Sequence, residues 1–377
     1  MTGRERLLTV LRGGIPDCVP AAPDISNMIP ARLTGKPFWQ LYLYHDPPIW
    51  EAYIAAARHF DIDSLMDGYW HLHFPGEPSS GKPWQQFIVF RSPERIVTQS
   101  SYIDNGHRVW APTVTVYYVA DPPTGNVPPE KIGLSPVPGR FEPVEGVRPT
   151  DHGPSGLRRV KELMGDQGLV GVGIIGNLVV SSEAEIYRLH DDPAHFERLA
   201  EERLAAVERR FAYLMSLQEK PDFLAIPGSG TLIFQTLETY RRLAFPAVRR
   251  AIELASAAGM ITHMHSCGPE ARLVRMLAEE TNLTVIDPLE IPPMGDCNLA
   301  ELKRLYGHRI VLKGNLHTTD VMLRGSAADV RAASRQAIDD AAAGGRFILS
   351  TGDQCGRDTP DENLRAMVDT ARTSGRY

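Results

Sequence analysis

A short apolar run followed by a longer helical pattern recurs along this chain, and that alternation constrains the fold more than any other feature. Eight runs read as strands: residues 18–25, 62–66, 169–175, 222–226, 260–265, 283–287, 309–313 and 346–350. Most are rich in Val and Ile, too short for buried helices, and end at Gly, Pro, Asp or Asn. Helical patterns fill gaps between them over 193–218, 236–258, 270–280, 299–306, 327–343 and 360–373. Strands alternating with helices make parallel β/α units, and eight units predict a closed (β/α)8 TIM barrel. No G-x-G-x-x-G follows the first strand, which weakens the alternative of an open dinucleotide-binding sheet.

One proline-rich stretch, about 74–154, breaks the rhythm. Alternating segments at 95–103 and 109–119 flank Asp104-Asn105-Gly106, a strong short-range hairpin signal. The chain therefore reads as one domain over 1–377 with a β-hairpin and loop insertion after the second strand. That insertion is either a flap that arches over one barrel end for function or a purely structural one.

Lys plus Arg number 40 against 46 Asp plus Glu, a formal net charge of -6. Such a surface offers phosphate backbones and anionic lipids no general attraction, so nucleic acid is not an expected partner. The amphipathic N-terminus lacks the apolar core of a secretory signal, and no run reaches the ~18 apolar residues of a membrane span. Four cysteines, at 18, 267, 297 and 355, are too few for a disulfide framework and fit a reducing cytoplasm.

In a barrel of this kind the reactive side chains stand where strands end and the next loops begin. Those positions hold Asp24 and Asn27; Asp67, Tyr69, Trp70, His71 and His73; Asn177; Ser229; His265-Ser266-Cys267-Gly268; Asp287 and Glu290; Asn315 and His317; Asp353 and Cys355. His265-x-Cys267 closes the fifth strand and Cys355 lies just past the eighth. One imidazole and two thiolates suit Zn²⁺ and leave a fourth position open. Buried cysteines also simply fill cores. Gly268-Pro269 after Cys267 and Gly356 after Cys355 argue against core positions here.

Over nearly its whole length the chain resembles the uroporphyrinogen decarboxylase superfamily of (β/α)8 barrels. Arg4-Glu5-Arg6 with Val19-Pro20, His265-x-Cys267-Gly268, Lys313-Gly314-Asn315 and Thr359-Pro360-Asp361-Glu362-Asn363 carry the resemblance. Within it the pattern is similar to the zinc-dependent, corrinoid-linked methyltransferases, both coenzyme M methyltransferases and O-demethylase methyltransferases. The resemblance implies zinc on His265, Cys267 and Cys355. It also implies methyl transfer between a small substrate, such as an aromatic O-methyl ether, and the cobalt of a corrinoid. No D-x-H-x-x-G cobalt-ligating motif occurs in this chain, so the cobalamin is expected on a separate protein. A homodimer stays open. The Arg-rich N-terminal segment of genuine uroporphyrinogen decarboxylases is missing: Val19-Pro20 is followed by Ala21-Ala22-Pro23-Asp24. A tetrapyrrole with many carboxylates needs a cationic cleft, so decarboxylation is the alternative, beside methylation of a coenzyme M-like thiol.

Glu290 and His317 are the candidate catalytic residues. Glu290 reads as a fourth zinc ligand, a proton donor or a solvated loop acid; His317 and Asn315 read as substrate contacts or parts of a turn. Asp24, Asn177, Asn315, Tyr69 and Trp70 are candidate substrate-binding residues, although the aromatic run at 69–74 also suits packing beneath the insertion. Asp353 reads as an outer residue orienting a ligand or as an ordinary loop acid. His263 shares a strand face with His265 and is either core or a supporting partner.

Overall fold

The computed structural model describes residues 1–77 and 81–377, which divide into two compact units. One comprises Met1–Ser26, Ala57–His73 and His152–Tyr377; the other comprises Asn27–Ala56 and Phe74–Asp151.

The strands in chain order are β1 (Ser64–Met66), β2 (Gln85–Arg91), β3 (Arg95–Asp104), β4 (His107–Tyr118), β5 (Thr124–Val127) and β6 (Glu142–Pro143). They continue with β7 (Gly168–Gly173), β8 (Phe223–Ile226), β9 (Ile261–Ser266), β10 (Val285–Pro288), β11 (Val311–Leu316) and β12 (Phe347–Thr351). In the larger unit seven of them form a curled parallel sheet ordered β1-β7-β8-β9-β10-β11-β12. Each neighbour follows the last in sequence with helix between, which is the arrangement that right-handed β/α crossovers generate.

The run at 18–25, expected as a first full strand, is not one. Pro20 and Pro23 have no backbone N–H to give a ladder. What remains is a short extended segment: Ala22 donates to the Leu349 carbonyl at 2.8 Å, Leu349 donates to that of Pro20 at 2.9 Å, and Asp63 donates to that of Ala21 at 2.9 Å. The segment thus bonds beside both edges of the seven-stranded sheet, at β12 and just ahead of β1.

The inward-facing residues change character along the strands. Leu65, Leu169, Phe223, Ala225, Ile261, Val285, Val311 and Ile348 pack into one buried cluster with Leu7, Val10 and Leu11. Those three leucine and valine side chains come from one face of the helix Gly3–Leu11, whose start is fixed by a Thr2–Glu5 capping box. Two residues further along, the same strand faces carry charge. His263 pairs in register with Val285, and His265 with Asp287. A dry apolar floor therefore lies directly under a polar layer at the strands' C-terminal ends.

The smaller unit is a five-stranded antiparallel sheet ordered β5-β4-β3-β2-β6. Its hairpin turns at Asn105 (φ 48°) and Gly106 (φ 81°), both left-handed, with Asp104 opposite His107. That is the type I′ geometry which Asn-Gly favours. Among the described residues no helix is long and apolar enough to cross a membrane, and all four cysteines are free.

Candidate metal centre

His263 is 2% exposed and lies between two carboxylates, with Nδ1 3.0 Å from Asp67 Oδ2 and Nε2 3.0 Å from Asp287 Oδ1. Burial works against its charged form, but the attraction of Asp287 and Asp67 outweighs it and lifts the imidazole to about 9. His263 is therefore an imidazolium that donates on both sides. The Asp287 carboxylate also accepts from His265 Nδ1 at 3.1 Å and pairs with the buried ammonium of Lys313. Burial opposes its ionisation, yet Lys313 and the two histidines hold it well below the usual carboxylate range.

The bond to Asp287 spends the Nδ1 proton of His265 and turns Nε2 outward. Nε2 faces Asp353 Oδ1 at 3.7 Å. One nitrogen of His265, the sulfur of Cys267 and a carboxylate oxygen of Asp353 all lie within 4.8 Å of one another. A tetrahedral zinc with bonds of about 2.0–2.3 Å separates its ligand atoms by roughly 3.3–3.8 Å. The set thus needs only small side-chain movement to close on an ion. A neutral imidazole, a thiolate and a carboxylate bring two negative charges, which matches a divalent cation, and the carboxylate–histidine contact behind the ring is the usual outer support of a metal-bound histidine. Asp353 also holds φ 107°, a backbone conformation that non-glycine residues rarely adopt and that concentrates at functional positions.

Cys355 does not join that set. It is fully buried, and burial pushes its thiol up to about 12. Its backbone N–H donates to the Asp24 carbonyl at 2.8 Å. Asp353, two residues earlier, occupies the place beside His265 and Cys267.

The remaining candidates divide. Glu290 Oε2 accepts from the Gly268 N–H at 2.6 Å; burial raises its pKa, the Gly268 bond works against that, and Asp353 adds to the rise. His317 caps the turn that follows β11: its Nδ1 accepts from the N–H groups of Thr319 at 3.2 Å and Asp320 at 3.0 Å. That fixes the proton on Nε2, which is buried and has no hydrogen-bond partner among the described residues. Asn177 is fully buried and donates to the His265 carbonyl at 3.2 Å. A Cβ on Gly228 would sit 1.4 Å from its Oδ1, so any larger residue there must displace the Asn177 amide. Asn315 donates to the Leu289 carbonyl at 2.9 Å. Asp24 accepts from the Ser26 N–H at 2.8 Å, and burial raises its pKa against the pull of Lys313 and His265. Tyr69 is half-buried, whereas Trp70 is 3% exposed and stacks on His152 with ring centroids 6.1 Å apart. Sequence reading missed the central place of Asp287 and the ligand-like place of Asp353; the signal for the latter was its position in the loop that carries Cys355.

Residues 222–374, which hold β8 to β12 together with His265, Cys267, Glu290 and Asp353, match the family model described as uroporphyrinogen decarboxylase (URO-D). The resemblance to that superfamily holds over this stretch. A methyltransferase from Methanosarcina mazei is similar in structure over 98% of this chain and 98% of its own, with a TM-score of 0.60 at 15% identity, so the two share a fold. A B12-independent methionine synthase from Shewanella sp. W3-18-1, in complex with selenomethionine, is similar over 63% of this chain and 70% of its own, with a TM-score of 0.37 at 12% identity. No curated protein matches the sequence significantly.

Proposed function

We propose that this chain is a zinc-dependent methyltransferase of the cytoplasm that moves a methyl group between a small O-methyl substrate and the cobalt of a separate corrinoid protein. We take it as a single domain, a (β/α)8 barrel closed by the segment around Pro20–Ala22, with an insertion at about 74–154. The observation that carries the reading is the His265–Cys267–Asp353 donor set, with Asp287 behind His265, at the C-terminal ends of the parallel strands. In barrels of this class that end is where chemistry is done.

His265, Cys267 and Asp353 would hold the zinc, which when bound supplies Lewis acidity toward an ether oxygen or holds a thiol as its thiolate. The protein's own groups then have separate tasks. Asp287 fixes the His265 tautomer and ring angle. Glu290 is held toward its protonated form and can give a proton to the oxygen that loses the methyl group. The Nε2–H of His317 is a prepaid donor to a substrate acceptor, while Asp24, Asn177 and Asn315 shape the floor and wall. Decarboxylation of a polycarboxylate fits less well, because Lys313 and His263 are already paired with Asp287 and have no free charge to offer.

The test is metal content by inductively coupled plasma mass spectrometry of chelator-stripped, zinc-reconstituted protein. Relative to wild type, Cys267→Ser and Asp353→Ala should each bind about one zinc fewer per chain, whereas Cys355→Ser should bind the same amount. Wild type should then demethylate an aromatic methyl ether with a corrinoid acceptor, and the two metal variants should not. Equal zinc in all four proteins would sink the reading.

A further inference from the structure

We infer that His71, His73 and His152 form a second metal site, for a divalent transition ion such as Zn²⁺ or Ni²⁺, distinct from the His265 centre. The three rings each offer one nitrogen, and these nitrogens lie within 4.8 Å of one another. Ring centroids are 4.0 Å apart for His71 and His152, which stack at 19°, 4.7 Å for His73 and His152, and 5.2 Å for His71 and His73, so closing on an ion requires the exposed His71 ring to turn until its in-plane lone pair meets that of His152. Three imidazolium ions would repel strongly at such spacing, so the cluster is built for neutral rings, the form that binds metal.

The sequence supplies this geometry from two distant segments. His71 and His73 flank the buried Leu72 and therefore project to the same side. His152 comes 79 positions after His73 (152 − 73), where the chain returns to the larger unit. Two hydrogen bonds lock the segments together: His73 N–H donates to the His152 carbonyl at 2.9 Å, and His152 Nδ1 lies 2.9 Å from the His71 carbonyl oxygen. The second puts the proton on Nδ1 and leaves the lone pair on Nε2, the same tautomer control that a backbone carbonyl gives a metal-bound histidine. Buried Trp70 stacks on the back of His152 and limits how far the ring can swing. His71 and His73 are exposed, so an ion has a path in and room for water on its open side.

The donor chemistry sets the ion class. Imidazoles alone suit Zn²⁺, Ni²⁺ and Cu²⁺ and discriminate against Mg²⁺ and Ca²⁺, which want oxygen. With no anionic ligand in the set, binding there is weaker than at the thiolate-containing centre, and the ion joins residues 71–73 to 152.

The experiment uses the full chain without a polyhistidine tag, stripped with chelator and titrated with ZnCl₂ by calorimetry, with bound metal counted after dialysis. Wild type should take about two zinc ions, and His73→Ala and Cys267→Ser about one each, with the double variant taking none. The weaker of two calorimetric phases should be the one that His73→Ala removes, and saturating Zn²⁺ should raise the melting temperature of Cys267→Ser but not of the double variant. Co²⁺ bound to Cys267→Ser should show ligand-field bands without a thiolate charge-transfer band. His71→Ala, also at an exposed position, repeats the test if His73→Ala unfolds. Zinc stoichiometry unchanged by both His71→Ala and His73→Ala overturns the site. Loss of zinc only in Cys267→Ser overturns it while leaving the His265 centre standing.

Discussion

Asp63 and Asp287 are both carboxylates buried in the larger unit, each surrounded by cations, and they stand at opposite ends of the parallel strands. Asp63, just before β1, accepts from Arg6 Nη1 at 2.7 Å, from Arg372 Nη1 at 2.7 Å and Nη2 at 3.0 Å, and from the Ala21 N–H at 2.8 Å. Its partners come from the first helix, the segment at Ala21 and the last helix, so one carboxylate ties both chain ends to the sheet. Asp287, near the end of β10, takes His263, His265 and Lys313 instead. Guanidinium never discharges in a protein, and every lone pair of Asp63 is used. Imidazole and ammonium can lose protons, and His265 has a nitrogen to spare. The same buried acid makes a rivet with arginine and a ligand support with histidine.

The largest effect should come from removing the rivet. Asp63→Ala removes the buried counter-charge that Arg6 and Arg372 share, leaving Arg6 to the more exposed Asp17 at 2.7 Å and Arg372 to the exposed Asp61 at 3.6 Å, and loss of one partner in a buried ion pair costs about 3–5 kcal/mol. Urea unfolding measures it, and zinc content of whatever remains folded should match wild type. A loss under about 1 kcal/mol would erase the contrast between the two ends.

Glu270 tests the other side of the comparison, a buried carboxylate with no ion pair among the described residues. It is 1% exposed and accepts from the Leu232 N–H at 2.9 Å. Burial, reinforced by Asp296 and Glu290, pushes it up to about 7 from the ordinary 4.5. The folded protein therefore binds this proton more tightly than the unfolded chain does. Its contribution to stability is complete below about pH 4.5 and is lost as pH rises through 7, a change on the order of 3 kcal/mol. Glu270→Gln keeps a neutral side chain throughout and should flatten that part of the stability–pH curve, measured by denaturant unfolding between pH 4.5 and 8. An unchanged slope would mean that Glu270 is ionised in the fold.

Much of this was legible in the sequence, for reasons that separate local from non-local signals. Seven of eight expected strands form because Val- and Ile-rich runs bounded by breakers specify strands locally. The eighth failed at Pro20 and Pro23, where apolar content outweighed the missing N–H groups in the reading. Asn105-Gly106 announced its hairpin, but β5 and β6 are stabilised by pairing with strands distant in sequence and carry little pattern of their own; β6 is only Glu142–Pro143. At the candidate centre, His265-x-Cys267 is a local motif and could be read. The partnership of Asp353 depends on a loop with φ 107° that no spacing rule encodes. His152 was invisible as a companion of His71 and His73 because it lies in a proline-rich stretch with no motif around it.

The smallest effect on stability, and the most informative for function, should come from Asp287→Asn. The substitution keeps the shape but removes the charge that His263, His265 and Lys313 share. Unlike Arg6 and Arg372, these groups can respond by giving up protons, and Asp67 and Asp24 remain nearby to support the Lys313 charge. The cost should therefore be about 1–3 kcal/mol, below that of Asp63→Ala. Zinc affinity should suffer differently. His265 loses the acceptor that fixes its tautomer, and loss of such an outer partner weakens metal binding by about 10–100-fold. Competition against a zinc-binding dye gives the affinity, and urea unfolding on the same protein gives the stability. If Asp287→Asn binds zinc as tightly as wild type while losing as much stability as Asp63→Ala, then Asp287 is a second rivet and the division between the two ends fails.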